Sequence, residues 1–334
     1  MLHVSILIPE GDCSLTHIEA SYQILNEVNN FLRAEEREPL FQVQLIGLSA
    51  QSGLRKGLFV VHPHALMNDT KRTDLVLIPA LQGSDISAAL DLNEAWVPWL
   101  QEQHSQGACL ASFCLGSFLL AQTGLLDGRP CTTHWSAAGA FRARFPEALL
   151  LPDKILTDEG GICTSGGALT FTNLLLYLIG KYAGRAIAIQ TAKVFMIDMD
   201  RDTQSPFIIF RGQKIHEDEE IRQAQDFIEK NYTERLSVDD LASHFAIGRR
   251  NLERRFKKAT SNTIVEYIQR VRIEAAKQQL ESSRDTVNEV MYKVGYTDPK
   301  AFRAIFKKVT GLAPQQYRGK YSRHSIAQVG EVAA

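Results

Sequence analysis

The sequence predicts an α/β domain with a mainly parallel sheet sandwiched by helices, followed by an all-α domain. Three observations predict it. Short apolar runs alternate with helix-patterned stretches through the first two hundred residues, as in a parallel sheet covered on both faces. From Ile221 onward the segments keep helical periodicity and show no strand signal. Charge divides at the same place: residues 221–320 hold 20 Lys/Arg against 12 Asp/Glu, whereas residues 1–220 hold 16 against 25. The formal net charge of −1 over 334 residues hides this asymmetry. An acidic front and a basic rear point to a polyanionic partner for the rear half alone.

The elements follow in order. Residues 4–8 are an apolar run ending at Pro9, a buried strand. Residues 15–33 place Ile18, Tyr22, Leu25, Val28 and Leu32 in helical register. Residues 41–46 and 74–79 are the next two strands, and residues 94–103 form a helix carrying Trp96 and Trp99. Residues 108–112 are a strand that runs into a turn at Gly116 and a helix over 117–122. Residues 162–164 lead into a long apolar helix starting near Leu169. The first domain is therefore assigned to residues 1–199. A linker is assigned to 200–220, where Pro206 and scattered charges interrupt the pattern. Its acidic run, from His216 to Glu220, reads as a solvated helix start, where carboxylates favour the helix dipole. The second domain covers 221–320, and 321–334 is expected to be a flexible tail.

Five cysteines without a C-x-x-C pair argue against a disulfide framework and against zinc. No metal or cofactor is expected, and His62 and His64 read as loop histidines. Residues 1–9 lack a basic start and a cleavage site, and no run of 18 apolar residues exists, so a cytoplasmic protein with no membrane partner is expected.

In the rear domain, Leu252 and Phe256 are four residues apart and share one helix face, with Arg250, Glu253, Arg254 and Lys257 on the other. A similar stretch starts at Pro299 and carries Phe302 and Phe306 with Lys300, Arg303 and Lys307. Each is preceded by a short capped helix and a turn. Ser237 with Asp240 caps the first, and Leu241 and Phe245 point inward before the turn at Ala246-Ile247-Gly248. Thr286 caps the second, before the turn at Gly295-Tyr296. Pro299 suits a first helical position. A long helix over 264–280 holds these two helix-turn-helix units at a fixed separation. One basic helix can be a solvated face; two matching ones on one scaffold are built to enter the major groove of double-stranded DNA.

Residues 221–320 resemble the AraC/XylS-type transcription regulators. The matching residues are Leu241-Ala242, Arg250, Leu252, Arg254, Phe256-Lys257, Gly295-Tyr296, Phe302, Phe306-Lys307, Gly311-Leu312, Pro314 and Tyr317. The resemblance implies that both reading helices face successive major grooves of an operator. It nominates Arg249, Arg250, Glu253, Arg254 and Lys257 in the first, and Lys300, Arg303 and Lys307 in the second. Arginines suit bidentate pairing with guanine, and lysines suit phosphates. Ala304 stands where many members carry a polar or basic residue, so the second helix is expected to read fewer bases.

In the front domain, Ser112-Phe113-Cys114-Leu115-Gly116-Ser117 between strand and helix has the form of a nucleophile elbow. The helix N-terminus is expected to lower the Cys114 thiol pKa, and His134 would complete a pair for covalent thiol chemistry. Ala111 to Gly116, Gly124-Leu125-Leu126-Asp127-Gly128 and Thr132-Thr133-His134-Trp135 resemble the class I glutamine amidotransferase-like superfamily, in the branch of PfpI-type proteins, over residues 3–198. That implies a flavodoxin-like fold. With the AraC-type rear half, the architecture resembles GlxA-like regulators, in which the front domain is a sensor and dimerisation module.

The departures from the catalytic pattern matter. The position of the enzymes' orienting carboxylate is Thr16 here, with Glu19 one turn on, and the glycine-rich turn reads Pro79-Ala80-Leu81-Gln82-Gly83. Hydrolysis needs both features, so a ligand pocket of Thr16, Glu19, Cys114, Leu115 and His134 is expected. Its effector would be a small molecule, an amino acid or a quaternary amine. Trp96, Trp99 and Trp135 could box a cation or be core. The expected function is a homodimeric, metabolite-controlled, sequence-specific transcription regulator without enzymatic activity. The alternatives are a thiol-dependent amidase or hydrolase using Cys114 and His134, and a redox sensor through Cys114.

Overall fold

The computed structural model describes residues 1–83, 85–214 and 216–322. The chain divides into two compact units, Met1–Gln204 and Ser205–Ala334.

In the first unit the elements are β1 (Leu2–Ile8), α1 (Leu15–Ala34), β2 (Phe41–Gly47), β3 (Ser52–Leu54), β4 (Phe59–Val61), β5 (Ala65–Leu66), β6 (Leu75–Ile78), α2 (Ile86–Asp91), α3 (Trp96–Ser105), β7 (Cys109–Phe113), α4 (Gly116–Gln122), β8 (Pro130–Cys131), α5 (Ala138–Arg144), β9 (Leu149–Leu150), β10 (Leu156–Glu159), β11 (Ile162–Ser165), α6 (Phe171–Ala183) and α7 (Arg185–Val194). Seven strands form one sheet in the order β10-β11-β7-β6-β1-β2-β5. All its pairs are parallel except β10 with β11. Val4, Ile6, Ile8, Leu75 and Leu77 point to one face, packed with α1, α6 and α7. Leu7, Val76, Ile78 and Leu110 point to the other, under Trp96, Leu100 and Phe118. Burial on both faces is why these strands read as apolar runs and not as alternations. The antiparallel edge strand β10 reads Leu-Thr-Asp-Glu and is only partly buried, so it carried no such signal. The short β3–β4 hairpin, β5, β8 and β9 went unforeseen because two or three residues are too few to carry a pattern.

The stretch expected to be a linker is shared between the units. Gln204 closes the first: its Nε2 donates to the carbonyls of Thr133 and Lys154, each at 2.9 Å. From Ser205 the chain lies on the second unit. Phe210 packs edge-on against Tyr267, and its N–H donates to Glu274 at 3.0 Å. Lys277 donates to the Ile208 carbonyl at 2.6 Å.

The second unit continues with α8 (Glu219–Asn231), α9 (Val238–His244), α10 (Arg249–Thr260), α11 (Ile264–Ser282), α12 (Val287–Lys293), α13 (Pro299–Thr310) and α14 (Pro314–Tyr321). It has two cores, one per helix-turn-helix. Leu241, Leu252 and Phe256 meet Ile221 and Ile228 in the first; Val290, Met291, Phe302 and Phe306 meet Tyr317 in the second. Helix α11 feeds both, with Ile264, Tyr267 and Ile268 in the first and Ile273, Ala276 and Leu280 in the second. Capping boxes start α9, α11 and α12, at Ser237/Asp240, Thr263/Glu266 and Thr286/Glu289. Tyr321 is the last residue of α14 and stacks on Tyr317 at 4.6 Å. The expected tail beyond Ser322 lies outside the described residues. Among the described residues no helix is long and apolar enough to cross a membrane.

Candidate functional site

Strand β7 ends at Phe113, and Cys114 turns the chain with φ +53°. A non-glycine residue there is strained and needs surrounding bonds to hold it. Its N–H donates to the Ser165 carbonyl at 2.8 Å. Its carbonyl accepts from Ser117 Oγ at 2.9 Å and Thr133 Oγ1 at 3.1 Å. Gly116 is required by contact: a Cβ there would stand 2.5 Å from the Ile78 carbonyl oxygen. The elbow is thus pressed against the end of β6.

Beside it lies a pocket of about 210 Å³ lined by Thr16, His17, Gln82, Cys114, Leu115 and Leu169 among others. Thr16 and Leu115 are where the sequence placed them. Glu19 is exposed on α1 and is not part of the lining. His134 is also outside it. Its Nδ1 accepts from the Ser136 N–H at 3.2 Å and sits 2.7 Å from Ser136 Oγ, and its ring leans on Trp135. No hydrogen bond joins Cys114 to His134, so the pair that the alternative thiol chemistry would need is not assembled.

The residue that the sequence reading missed is His17. Its Nδ1 accepts from the Ala80 N–H at 3.1 Å, so its Nε2 carries the proton donated to the Ala168 carbonyl at 2.8 Å. Phe171 and Phe113 flank the ring. Burial pushes its pKa down to about 4, against the opposing pull of the Ala168 carbonyl. This neutral imidazole ties α1 to the turns after β6 and before α6. The available signal was its place on the buried stripe of α1, with Ser21, Ile24 and Val28.

The thiol differs from expectation. Burial pushes the Cys114 pKa up to about 11, outweighing the Leu115 amide that favours thiolate. The helix that follows is only seven residues long, and the side chain is shut away from water. In the turn after β6 two amides are already engaged: the Ala80 amide by His17, and the Gln82 backbone amide by the Asp12 carbonyl at 2.8 Å. The tryptophan box fails as well. Trp96 and Trp99 lie in the sheet core and Trp135 stacks on His134, so no tryptophan and no carboxylate lines the pocket.

On the second unit, Leu252, Phe256 and Thr260 bury the inner face of α10, while Arg250, Arg254 and Lys257 are exposed. Arg254 donates to Asn251 at 2.9 Å. On α13, Phe302, Phe306 and Thr310 are inside, and Lys300, Arg303, Ala304 and Lys307 are exposed. None of those six cations is salt-bridged to a carboxylate among the described residues. Arg249 and Glu253 differ: Arg249 pairs with Asp239 at 3.0 Å and with Glu253 at 3.4 Å, so their charges offset each other. Arg255 was given no role in advance. It turns back to α8, onto Asp218 at 2.5 Å and onto Glu220. The acidic run thereby does more than face solvent.

Two family models match this chain: the DJ-1/PfpI family over residues 35–180 and a helix-turn-helix domain over residues 241–320. The chain joins a DJ-1/PfpI domain to an AraC-type helix-turn-helix domain. The HTH-type transcriptional regulator CdhR of Pseudomonas aeruginosa is 27% identical over 274 residues, 81% of this chain and 80% of CdhR. That alignment is longer than either unit and so spans both domains. The HTH-type transcriptional regulator GbdR of the same organism is 27% identical over 223 residues, 66% of this chain; the match spans 60% of GbdR's own length. A solved chain from Vibrio parahaemolyticus superposes with a TM-score of 0.51 at 22% identity, covering 58% of this chain and 98% of that one. That likeness is one of fold.

Proposed function

We propose that this protein is a sequence-specific DNA-binding transcription regulator controlled by a small molecule bound to its DJ-1/PfpI domain. One observation carries the reading. Helix α10 buries Leu252 and Phe256 and exposes Arg250, Arg254 and Lys257; helix α13 buries Phe302 and Phe306 and exposes Lys300, Arg303 and Lys307. None of these cations is salt-bridged among the described residues, and both helices hang from the single scaffold helix α11. In this reading Arg250 and Arg254 contact base edges in one major groove and Arg303 in the next, while Lys257, Lys300 and Lys307 hold phosphates.

The front unit acts as a sensor and not as a catalyst. A thiol held protonated at neutral pH and a histidine engaged elsewhere support this. The effector sits beside Cys114, against the hydroxyl of Thr16 and the side-chain carboxamide of Gln82. It is an amino acid or a quaternary amine, met by uncharged polar and apolar side chains and not by an aromatic box. It acts only as far as it binds two arrangements of the protein unequally. Two chains pair through the first unit.

The test is genome-wide mapping of bound DNA, then binding of the purified chain to the recovered promoter fragments against random duplex, with candidate metabolites titrated in. A protein that never prefers one of its fragments over random duplex sinks the reading.

A further inference from the structure

The second unit holds a groove of about 530 Å³ that the reading helices do not account for. Thr233, Arg235, Arg272, Tyr292, Tyr296 and Thr297 line it, and no acidic side chain does. Arg272 is half-buried. Its Nε donates to the Tyr232 carbonyl and its Nη2 to the Glu234 carbonyl, both at 2.7 Å, and its guanidinium lies over the Tyr296 ring at 5.4 Å. Neither Arg272 nor Arg235 has a carboxylate within salt-bridge distance among the described residues. Two cations facing one groove without a counter-charge are an anion site in waiting. The Tyr296 side chain is more than nine-tenths buried, and its hydroxyl has no hydrogen-bond partner. Such an orphan calls for an explanation.

The location narrows the anion. Residues 233–236 lead into Ser237, the N-cap of α9. Residues 295–297 lead into Asp298, the N-cap of α13. In a helix-turn-helix the first helix crosses the sugar-phosphate backbone, and the reading helix enters the groove by its N-terminal end. A groove bordered by the start of one unit's first helix and the start of the other unit's reading helix faces the backbone between the two major grooves. Gly295 makes the approach possible: a Cβ there would stand 2.6 Å from the Thr233 carbonyl oxygen.

We propose that this groove is a phosphate site, filled in the complex by the DNA backbone between the two half-sites. Arg235 and Arg272 supply the charge, and Tyr296 and the two threonines supply hydroxyl donors. The inference rests on the DNA-binding reading above and adds a sequence-independent anchor to it.

The test uses the full chain on a preferred promoter fragment and on random duplex, over a range of salt. Arg235→Ala is expected to weaken both complexes alike and to lower the slope of log affinity against log salt by about one. Arg235→Lys should restore the slope. Tyr296→Phe should weaken both complexes about threefold with the slope unchanged. Wild-type slope and affinity in Arg235→Ala and in Tyr296→Phe, with the wild type still preferring its fragment, overturn the inference. A wild type without preference defeats the DNA-binding reading instead, so the two failures are distinguishable. Inorganic phosphate, titrated calorimetrically without DNA, separates the sources. Saturable binding lost in Arg235→Ala, with the DNA salt slope untouched, assigns the groove to a free phosphate-bearing ligand and overturns the backbone assignment.

Discussion

Arg255 lies on α10 beside the exposed cations, yet its Nη2 is 2.5 Å from Asp218, the N-cap of α8. This pair, with Glu220, ties the first reading helix to the start of α8. Arg255→Met is expected to lower the stability of the second unit by about 1 kcal/mol, since both partners are only partly shielded. The Arg255 guanidinium also holds the Asp218 carboxyl below the usual aspartate range. A depressed acid stabilises the fold above its unfolded pKa. The contribution is therefore complete above about pH 4 and is lost as pH falls through the lower folded value. Helical circular dichroism during thermal unfolding, wild type against variant at pH 7 and pH 3, measures it. An equal difference at both pH values contradicts the pairing.

Arg254 and Lys307 are expected to behave differently. Arg254→Ala should cost about 1–3 kcal/mol on the preferred operator and blur discrimination between bases. Lys307→Ala should weaken all duplexes alike and lower the salt slope by about one. Competition binding with single-base operator variants checks both. Unaltered base preference in Arg254→Ala removes that residue from direct readout.

His17 makes the first unit sensitive to acid. Its folded pKa of about 4 lies below the ordinary 6.5. Between these values the unfolded chain binds the proton and the folded chain does not, so stability rises with pH. The contribution is full above pH 6.5 and is lost as pH falls toward 4, with an amplitude of about 3 kcal/mol. His17→Gln should flatten the pH dependence over that window. All three tryptophans, Trp96, Trp99 and Trp135, lie in this unit, so denaturant unfolding followed by fluorescence reports it directly. Parallel stability curves for variant and wild type would contradict the buried neutral histidine.

Cys114 should be a slow nucleophile. With its pKa near 11, only about one thiol in ten thousand is ionised at neutral pH. Iodoacetamide labelling of the native protein, located by peptide mass, should be slower at Cys114 than for free cysteine and still accelerate above pH 9. Rapid labelling that levels off by pH 7 would restore the case for an activated thiol. Cys114→Ser should leave DNA binding intact, because the residue's structural contacts run through its backbone.

How much was legible depended on how local the cause was. Continuous apolar runs marked β1, β6 and β7 because a parallel sheet is buried on both faces. Ser237, with Asp240, and Thr286 cap their helices where the sequence placed them, because a cap depends on residues three apart. The elbow was readable because Cys114 and Gly116 answer to a turn two residues wide. His134 and Glu19 were misplaced because whether either reaches Cys114 depends on loops and helix rotation far away in sequence. Arg249 and Glu253 were nominated together as reading residues because their pairing with each other, and that of Arg249 with Asp239, shows only in the fold.

The residues by themselves determined the two-part architecture, the reading helices and the strained turn at Cys114, since each follows from periodicity, capping or a short motif. Tertiary structure alone decided which side chains share the pocket, which cations keep their charge available, and that the thiol stays protonated. Desolvation and ion pairing are properties of what packs around a group, and those neighbours come from segments that the chain order keeps apart.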